Sequence, residues 1–325
     1  MPTVHALLQA PLTIANWLGV GVRNGGEAGE DMIFLCHGTP HRMAAELERQ
    51  LWYLRRVFNI VPLEAYAASS IERKPPGGRR QAAIAFDDGL RSNVQVAYPI
   101  LRALGIPATF FVCPGLIEER KWLWTHEARR RLRFAGAGLR GELAADLKAP
   151  AEVEAFVQWM KELELPDRKQ AEARLRDATA GFVPSAADHE AFDLAEWHEL
   201  RALDPSVVTV GSHSMTHPIL PRMSTPEMEV EVGGSRRMIE AKLDRPAELF
   251  SYPNRDFDGR VLAVVRRHYR AAVVHRYGLP ADPQLLPSVN LPRGVLRLVR
   301  KVNSEPAMTA QKSRQRLIPA GTPTS

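Results

Sequence analysis

"QAAIAFDDG", residues 81–89, is a short apolar run that ends in two adjacent aspartates and a glycine. A continuous run of this kind, bounded by a turn signal, is typical of a strand buried in a parallel sheet. In an α/β barrel, the residues at the carboxyl ends of the strands face the active site. The stretch therefore predicts a strand that delivers Asp87 and Asp88 to such a face. For an Asp-Asp-Gly sequence alone, a turn in which Asp88 bonds the backbone is the simpler interpretation.

The rest of the chain alternates apolar runs with amphipathic stretches, which predicts βα units and a parallel sheet. The other candidate strands are residues 32–38, 108–115, 206–212, 247–253 and 270–275. The candidate helices are residues 42–58, 93–104, 226–243 and 256–268, the third of them following the start signal Ser224-Thr225-Pro226-Glu227.

Three segments are expected along the 325 residues. We predict a helical N-terminal segment at 1–30, a barrel over 31–300 that carries a helical insertion at about 121–200, and a disordered tail at 301–325. The N-terminal segment has neither a basic start nor a clear cleavage site, so a cytoplasmic location is the default expectation.

Composition narrows the classes of partner. With 45% hydrophobic residues the chain has ample material for a core, yet no run approaches the roughly 20 apolar residues of a membrane span. The formal charge of +6 allows peripheral contact with anionic membrane surfaces. Its arginines are scattered and lie beside no nucleic-acid-binding motif, so we expect no nucleic-acid partner. The two cysteines, Cys36 and Cys113, are expected to be buried, reduced thiols.

A second polar cluster, "VVTVGSHSMTHPIL", follows the candidate strand at 206–212 and holds His213 and His217 four residues apart. One helical turn would place two such histidines roughly 6 Å apart on one face, within reach of a shared ion. A catalytic zinc commonly takes three protein ligands, and the acidic pair offers the third. Ordinary surface imidazoles in a polar loop are the alternative interpretation for the pair alone.

Taken together, the motifs resemble those of the polysaccharide deacetylase family. "IAFDDG" is similar to the family's T-F-D-D-G motif, "HSMTH" to its H-S-x-x-H motif, and "GIPATFFV" to the strand between them. "FLCHG" resembles the family's opening strand, and the likeness runs from about residue 32 to about residue 300. It implies a distorted (β/α)7 TIM-like barrel and hydrolysis of N-acetyl groups on amino sugars.

The resemblance also implies residue roles. Asp88, His213 and His217 would bind Zn²⁺ or another divalent transition metal, and Asp87 would be the catalytic base. Coordination of one carboxylate would stabilise both charges, which accounts for two acids side by side.

The third family motif, R-x-P-Y, is only partly present in "LFSYPNRDFD". Pro253 matches, Ser251 replaces the arginine and Asn254 replaces the tyrosine. A backbone N–H after the proline could still bind the oxyanion, because it does not depend on the side chain. Arg255 could orient the base from another angle, although a surface arginine is the simpler interpretation.

The family's C-terminal histidine motif, which supplies the general acid, is absent from the sequence. His275, at the end of the candidate strand 270–275, is the candidate proton donor. His37 is expected to line the substrate groove, with a strand-capping role as the alternative. Trp124 and Trp122 are candidate platforms for sugar rings, equally well explained as packing residues.

We therefore expect a metal-dependent N-deacetylase that acts on an N-acetylated saccharide or glycoconjugate during cell-surface polysaccharide synthesis. A hydrolase of non-sugar amides on the same barrel is one alternative. A non-catalytic glycan-binding protein that has kept the fold is the other.

Overall fold

Seven parallel strands close into a barrel in this computed structural model, which describes residues 31–72, 79–275 and 282–303. The strands are β1 (Met32–Cys36), β3 (Gln81–Phe86), β4 (Ala108–Val112), β5 (Val208–Ser212), β6 (Leu249–Ser251), β7 (Ala271–His275) and β8 (Leu285–Asn290). Each pairs with the next along the chain, and β1 pairs with both β3 and β8, which closes the ring. The two-residue β2 (Asn59–Ile60) pairs with β3 outside the ring. The predicted α/β TIM-like fold is confirmed.

Side chains that alternate along the strands form two apolar layers, as the pleat requires. One set, which includes Ile33, Ala85 and Phe111, fills the barrel interior against α2 (Leu63–Ile71). The other set, which includes Phe34 and Ile84, packs outward against the surrounding helices. The core is therefore filled on both sides of the sheet.

Helices surround the barrel. They are α1 (Ala44–Val57), α2, α3 (Tyr98–Leu104), α4 (Pro114–Glu119), α11 (Thr225–Glu229), α12 (Ser235–Leu243), α13 (Gly259–His268) and α14 (Val295–Asn303). Residues 121–201 add α5 (Trp124–Phe134), α6 (Gly136–Leu147), α7 (Val153–Glu162), α8 (Leu165–Ala178), α9 (Ala186–Phe192) and α10 (Trp197–Arg201). These insertion helices have a core of their own, in which Leu132, Phe156 and Met160 are fully buried. No described helix has the length and apolar character needed to cross a membrane.

The predicted elements differ from the observed ones in several places. Strand β8 was not predicted, because Pro287 interrupts its apolar run. The predicted helix at 93–104 begins with a π-helical turn, Asn93–Ala97, and the one at 226–243 is broken by a second such turn, Val230–Gly234. Residues 301–303 were expected in the disordered tail, but they are the last three residues of α14. The rest of that tail and the predicted segment 1–30 lie outside the described residues.

Gly211 in β5 is a sensitive position, because a Cβ there would lie 2.5 Å from the Phe111 ring and 2.9 Å from the Leu249 carbonyl oxygen. We expect Gly211→Ala to lower the free energy of unfolding by about 1–3 kcal/mol, the usual cost of overpacking a core. The control is Gly259→Ala, since a Cβ at Gly259 has nothing within 4 Å. Denaturant unfolding of both variants is the measurement, and equal midpoints would contradict the prediction.

Candidate metal centre

Asp87 and Asp88 follow β3 in a tight turn at the carboxyl end of the barrel. The Asp87 N–H donates to the Cys36 carbonyl at 2.9 Å, which extends the pairing of β3 with β1 by one residue. Asp88 then takes a left-handed backbone with φ of 73°, and Gly89 follows with φ of 67°. Neighbouring side chains on an extended strand point to opposite faces. The left-handed residue breaks that alternation, so both carboxylates serve one site.

Glycine is required at position 89 for two reasons. Its positive φ favours glycine, and a Cβ there would lie 3.0–3.1 Å from atoms of Val112 in the neighbouring strand. The turn therefore packs directly on β4 and is held close to the barrel mouth.

His213 and His217 come together through an irregular loop, with ring centroids 4.8 Å apart. The helical turn expected from their spacing is wrong: Ser214 and His217 have φ of 64° and 57°, outside the right-handed helical region. Serine hydroxyls take the place of helical carbonyls, because Ser212 Oγ accepts from the Ser214 N–H and Ser214 Oγ accepts from the His217 N–H, both at 3.1 Å.

Two neighbouring side chains form hydrogen bonds to residues 213–217, which we call the histidine loop. The buried Glu231 accepts hydrogen bonds from the Thr216 N–H at 2.8 Å and the Thr216 hydroxyl at 2.5 Å. From the insertion, the Trp124 indole N–H donates to the His217 carbonyl at 2.9 Å. The insertion is thus bonded directly to the loop that carries both imidazoles.

The three predicted ligands face one another at distances suited to a shared ion. Asp88 Oδ1 lies 3.6 Å from His213 Nε2 and 3.7 Å from His217 Nε2, and the three ligand atoms all lie within 4.8 Å of one another. These separations are too long for hydrogen bonds. Tetrahedral zinc with bonds of 2.0–2.1 Å sets its ligand atoms about 3.4 Å apart. The side chains therefore fit a divalent cation better than they fit one another.

The surroundings of the two imidazoles favour the tautomer of His213 and the neutral state of His217 that a metal site requires. His213 Nδ1 donates to the Ser251 carbonyl at 2.8 Å, which leaves the Nε2 lone pair facing Asp88. Burial, and then repulsion from His213, holds the pKa of His217 well below its usual value, so its imidazole is neutral and able to bind a metal. Asp87 Oδ1 is buried and has no hydrogen-bond partner within the described part of the chain.

The two adjacent carboxyls have opposite pKa shifts. Burial raises the pKa of Asp87, and the imidazoles of His213 and His37 offset only part of that rise. Burial acts on Asp88 in the same direction, but nearby imidazoles outweigh it and lower its pKa. A pair of acids whose pKa values are pushed apart is typical of divided roles in catalysis. Asp88 is the better anion and Asp87 the better proton acceptor.

Two further histidines lie around this cluster. His37 is an exposed residue just after β1, and its imidazole is close enough to affect the pKa of both carboxylates. It therefore lies at the barrel mouth, and its expected role in lining the substrate groove stays a prediction. His126 of α5 was not predicted as a site residue. It interacts with the charge of Asp88, packs its ring 4.9 Å from that of Phe192, and has a buried Nδ1 without a hydrogen-bond partner in the described ranges.

The remaining predicted site residues have varied surroundings. Pro253 is buried, Asn254 has φ of 55°, and the exposed Arg255 donates to the Asn290 side chain at 3.0 Å. Trp124 is only 5% exposed, and an arginine of α8 covers its ring at 4.7 Å, so the geometry favours packing over sugar stacking. The backbone of His275 ends β7, and its side chain lies outside what the structure describes.

The closed parallel barrel, with buried acids and imidazoles at the carboxyl ends of its strands, defines an α/β-barrel protein with a candidate catalytic site. The polysaccharide deacetylase family model matches residues 74–273. The chain belongs to the polysaccharide deacetylase family.

Solved structures support the same fold. The Streptococcus pyogenes deacetylase PplD in complex with acetate has a TM-score of 0.56 at 14% identity, covering 85% of this chain and 99% of its own. IcaB from Ammonifex degensii has a TM-score of 0.54 at 14% identity, with 85% and 97% covered. BC0361, a polysaccharide deacetylase from Bacillus cereus, has a TM-score of 0.51 at 13% identity, with 85% and 69% covered. No curated protein matches the chain in sequence.

Substitution of a ligand should remove metal binding. We expect Asp88→Ala and His217→Ala to abolish stoichiometric zinc binding, because two remaining side chains hold the ion poorly. The control is His198→Ala, whose side chain is 68% exposed in its native position. Metal analysis after dialysis, with circular dichroism to verify folding, is the measurement. Normal zinc content in both folded ligand variants would rule out the assignment.

Proposed function

We propose that the protein is a metal-dependent N-deacetylase that releases acetate from an N-acetylated amino sugar in a saccharide or glycoconjugate, during cell-surface polysaccharide synthesis. The observation that carries the proposal is the spacing of Asp88, His213 and His217 around one point, with the unpartnered Oδ1 of Asp87 beside them. Family membership supports the reaction class.

The proposed roles follow from the environment of each group. Asp88, His213 and His217 would hold a divalent cation, which when bound lowers the pKa of a water and polarises an amide carbonyl. Asp87 accepts the proton of the attacking water, since its raised pKa suits a general base. The backbone N–H of Asn254, after Pro253, is our candidate for binding the developing oxyanion. His37 is our candidate for contacting the sugar.

Loss of the base should separate turnover from metal binding. We expect Asp87→Asn to lower kcat for acetate release from an N-acetylglucosamine oligomer by about 10²–10⁴-fold, since the amide cannot accept the proton. Zinc content should stay at the wild-type level. The control is Asp204→Asn, at an exposed turn carboxylate. Acetate release is measured before and after chelation of the metal.

Three results would contradict the proposed function. They are full activity of Asp87→Asn, acetate release by the wild type that survives complete chelation, and saccharide binding without turnover by the zinc-loaded wild type. Saccharide binding without turnover would favour a glycan-binding protein. Turnover of a small cyclic amide, with no acetate release from the saccharide, would favour a non-sugar amide hydrolase.

We propose His275 as the donor of the proton to the leaving amine. His275→Ala should then lower kcat by about 10²–10⁴-fold with zinc content unchanged, because the amine would leave unprotonated. His126→Ala is measured in parallel, since His126 interacts with the charge of Asp88 and is neither a proposed metal ligand nor a predicted site residue. A rate within twofold of wild type in His275→Ala would contradict the assignment, and a large loss in His126→Ala alone would transfer the role to that residue.

A further inference from the structure

Ser251 lies at the end of β6 and contacts both halves of the site. Its hydroxyl donates to Asp87 Oδ2 at 3.1 Å, and its carbonyl accepts from His213 Nδ1 at 2.8 Å. The residue is only 2% exposed, so water does not compete for either bond. One residue thus holds the proposed base by its side chain and a proposed metal ligand by its backbone.

We propose that Ser251 is the positioning residue for Asp87, in the place where the family's third motif carries an arginine. This inference rests on the proposed function for its kinetic consequence and on the geometry alone for its structural consequence. Arg255, the other candidate for that role, bonds to Asn290 on the exposed side of the loop. The serine hydroxyl is the group that contacts the base.

The hydroxyl also distinguishes the two oxygens of Asp87. Oδ2 accepts the Ser251 hydrogen bond and lies 4.0 Å from His213 Nε2, whereas Oδ1 has no partner within the described residues. The carboxylate torsion of an aspartate is broad, and a directional hydrogen bond to one oxygen restricts it. Ser251 therefore holds Oδ2 against the barrel wall and leaves Oδ1 as the oxygen that takes a proton.

A short neutral donor suits this location. The side chain is enclosed by barrel strands, and Phe250 and Tyr252 on either side of it are also buried. A guanidinium enclosed in the same place would lose its hydration, a cost that pairing with Asp87 would have to offset. A hydroxyl supplies one hydrogen bond at a much smaller desolvation cost.

Removal of the hydroxyl tests the role. We expect Ser251→Ala to lower kcat by about 10–100-fold with KM within about twofold of wild type, because orientation of the base matters mainly in the transition state. Zinc affinity should stay within about twofold, since the backbone carbonyl that bonds His213 is retained. Ser288→Ala is the matched control, as Ser288 is another buried barrel serine, whose hydroxyl donates to the Val274 carbonyl at 2.9 Å.

A crystal structure of zinc-loaded Ser251→Ala gives a readout that does not depend on turnover. The Asp87 carboxylate should be rotated from its native position or disordered, while Asp88, His213 and His217 stay in place. An unmoved carboxylate, a kcat within twofold of wild type, or an equal loss of kcat in Ser288→Ala would each overturn the inference. If the wild type releases no acetate, the proposed function fails, whereas the carboxylate orientation and zinc affinity still decide the role of Ser251.

Discussion

Four ionisable side chains are buried together at the barrel mouth without hydrogen bonds between them. Asp87, Asp88, His213 and His217 are each at most 5% exposed, and the closest approach between a carboxylate and an imidazole is 3.6 Å. Burying such groups is costly unless charge and hydrogen bonds compensate. A shared cation at the point they face would provide that compensation, and much of the surrounding structure serves to hold them at this spacing.

The support comes from three directions. Barrel pairing fixes the backbone of Asp87 through Cys36, and glycine at position 89 lets the turn pack on β4. From the π-helical turn Val230–Gly234, the buried carboxylate of Glu231 accepts a hydrogen bond from the histidine loop at Thr216. From the insertion, the indole of Trp124 bonds to the same loop. The helices of residues 121–201 are therefore part of the wall of the site, and α5 brings His126 to it as well.

How much the sequence alone predicts depends on whether a feature is local. Local features include the apolar runs of β3, β4 and β5, the acidic turn and the four-residue spacing of the two histidines, which is why the fold and the separate motifs could be predicted. That the turn meets the histidines is not local, and it was expected only because strand ends of a barrel share one face and because the motifs resemble those of a known family. Strand β8 could not be predicted, because Pro287 interrupts its apolar run. The left-handed serine and histidine of the loop carry no sequence signal, because neither is glycine. His126 reaches the site only through tertiary packing of the insertion, which no local pattern encodes.

In the proposed site, Ser251 stands where the family motif has an arginine, and its hydroxyl bonds to Asp87 in the absence of a guanidinium. What the base requires is a fixed orientation of one oxygen, and a hydroxyl at 3.1 Å provides it. Electrostatic stabilisation of Asp87 does not have to come from the same residue, since the imidazoles of His213 and His37 lower its pKa against the effect of burial. Orientation and electrostatics are thus divided between separate groups here, whereas a guanidinium would combine them. That division explains why the loss of an arginine from the motif is compatible with an ordered base.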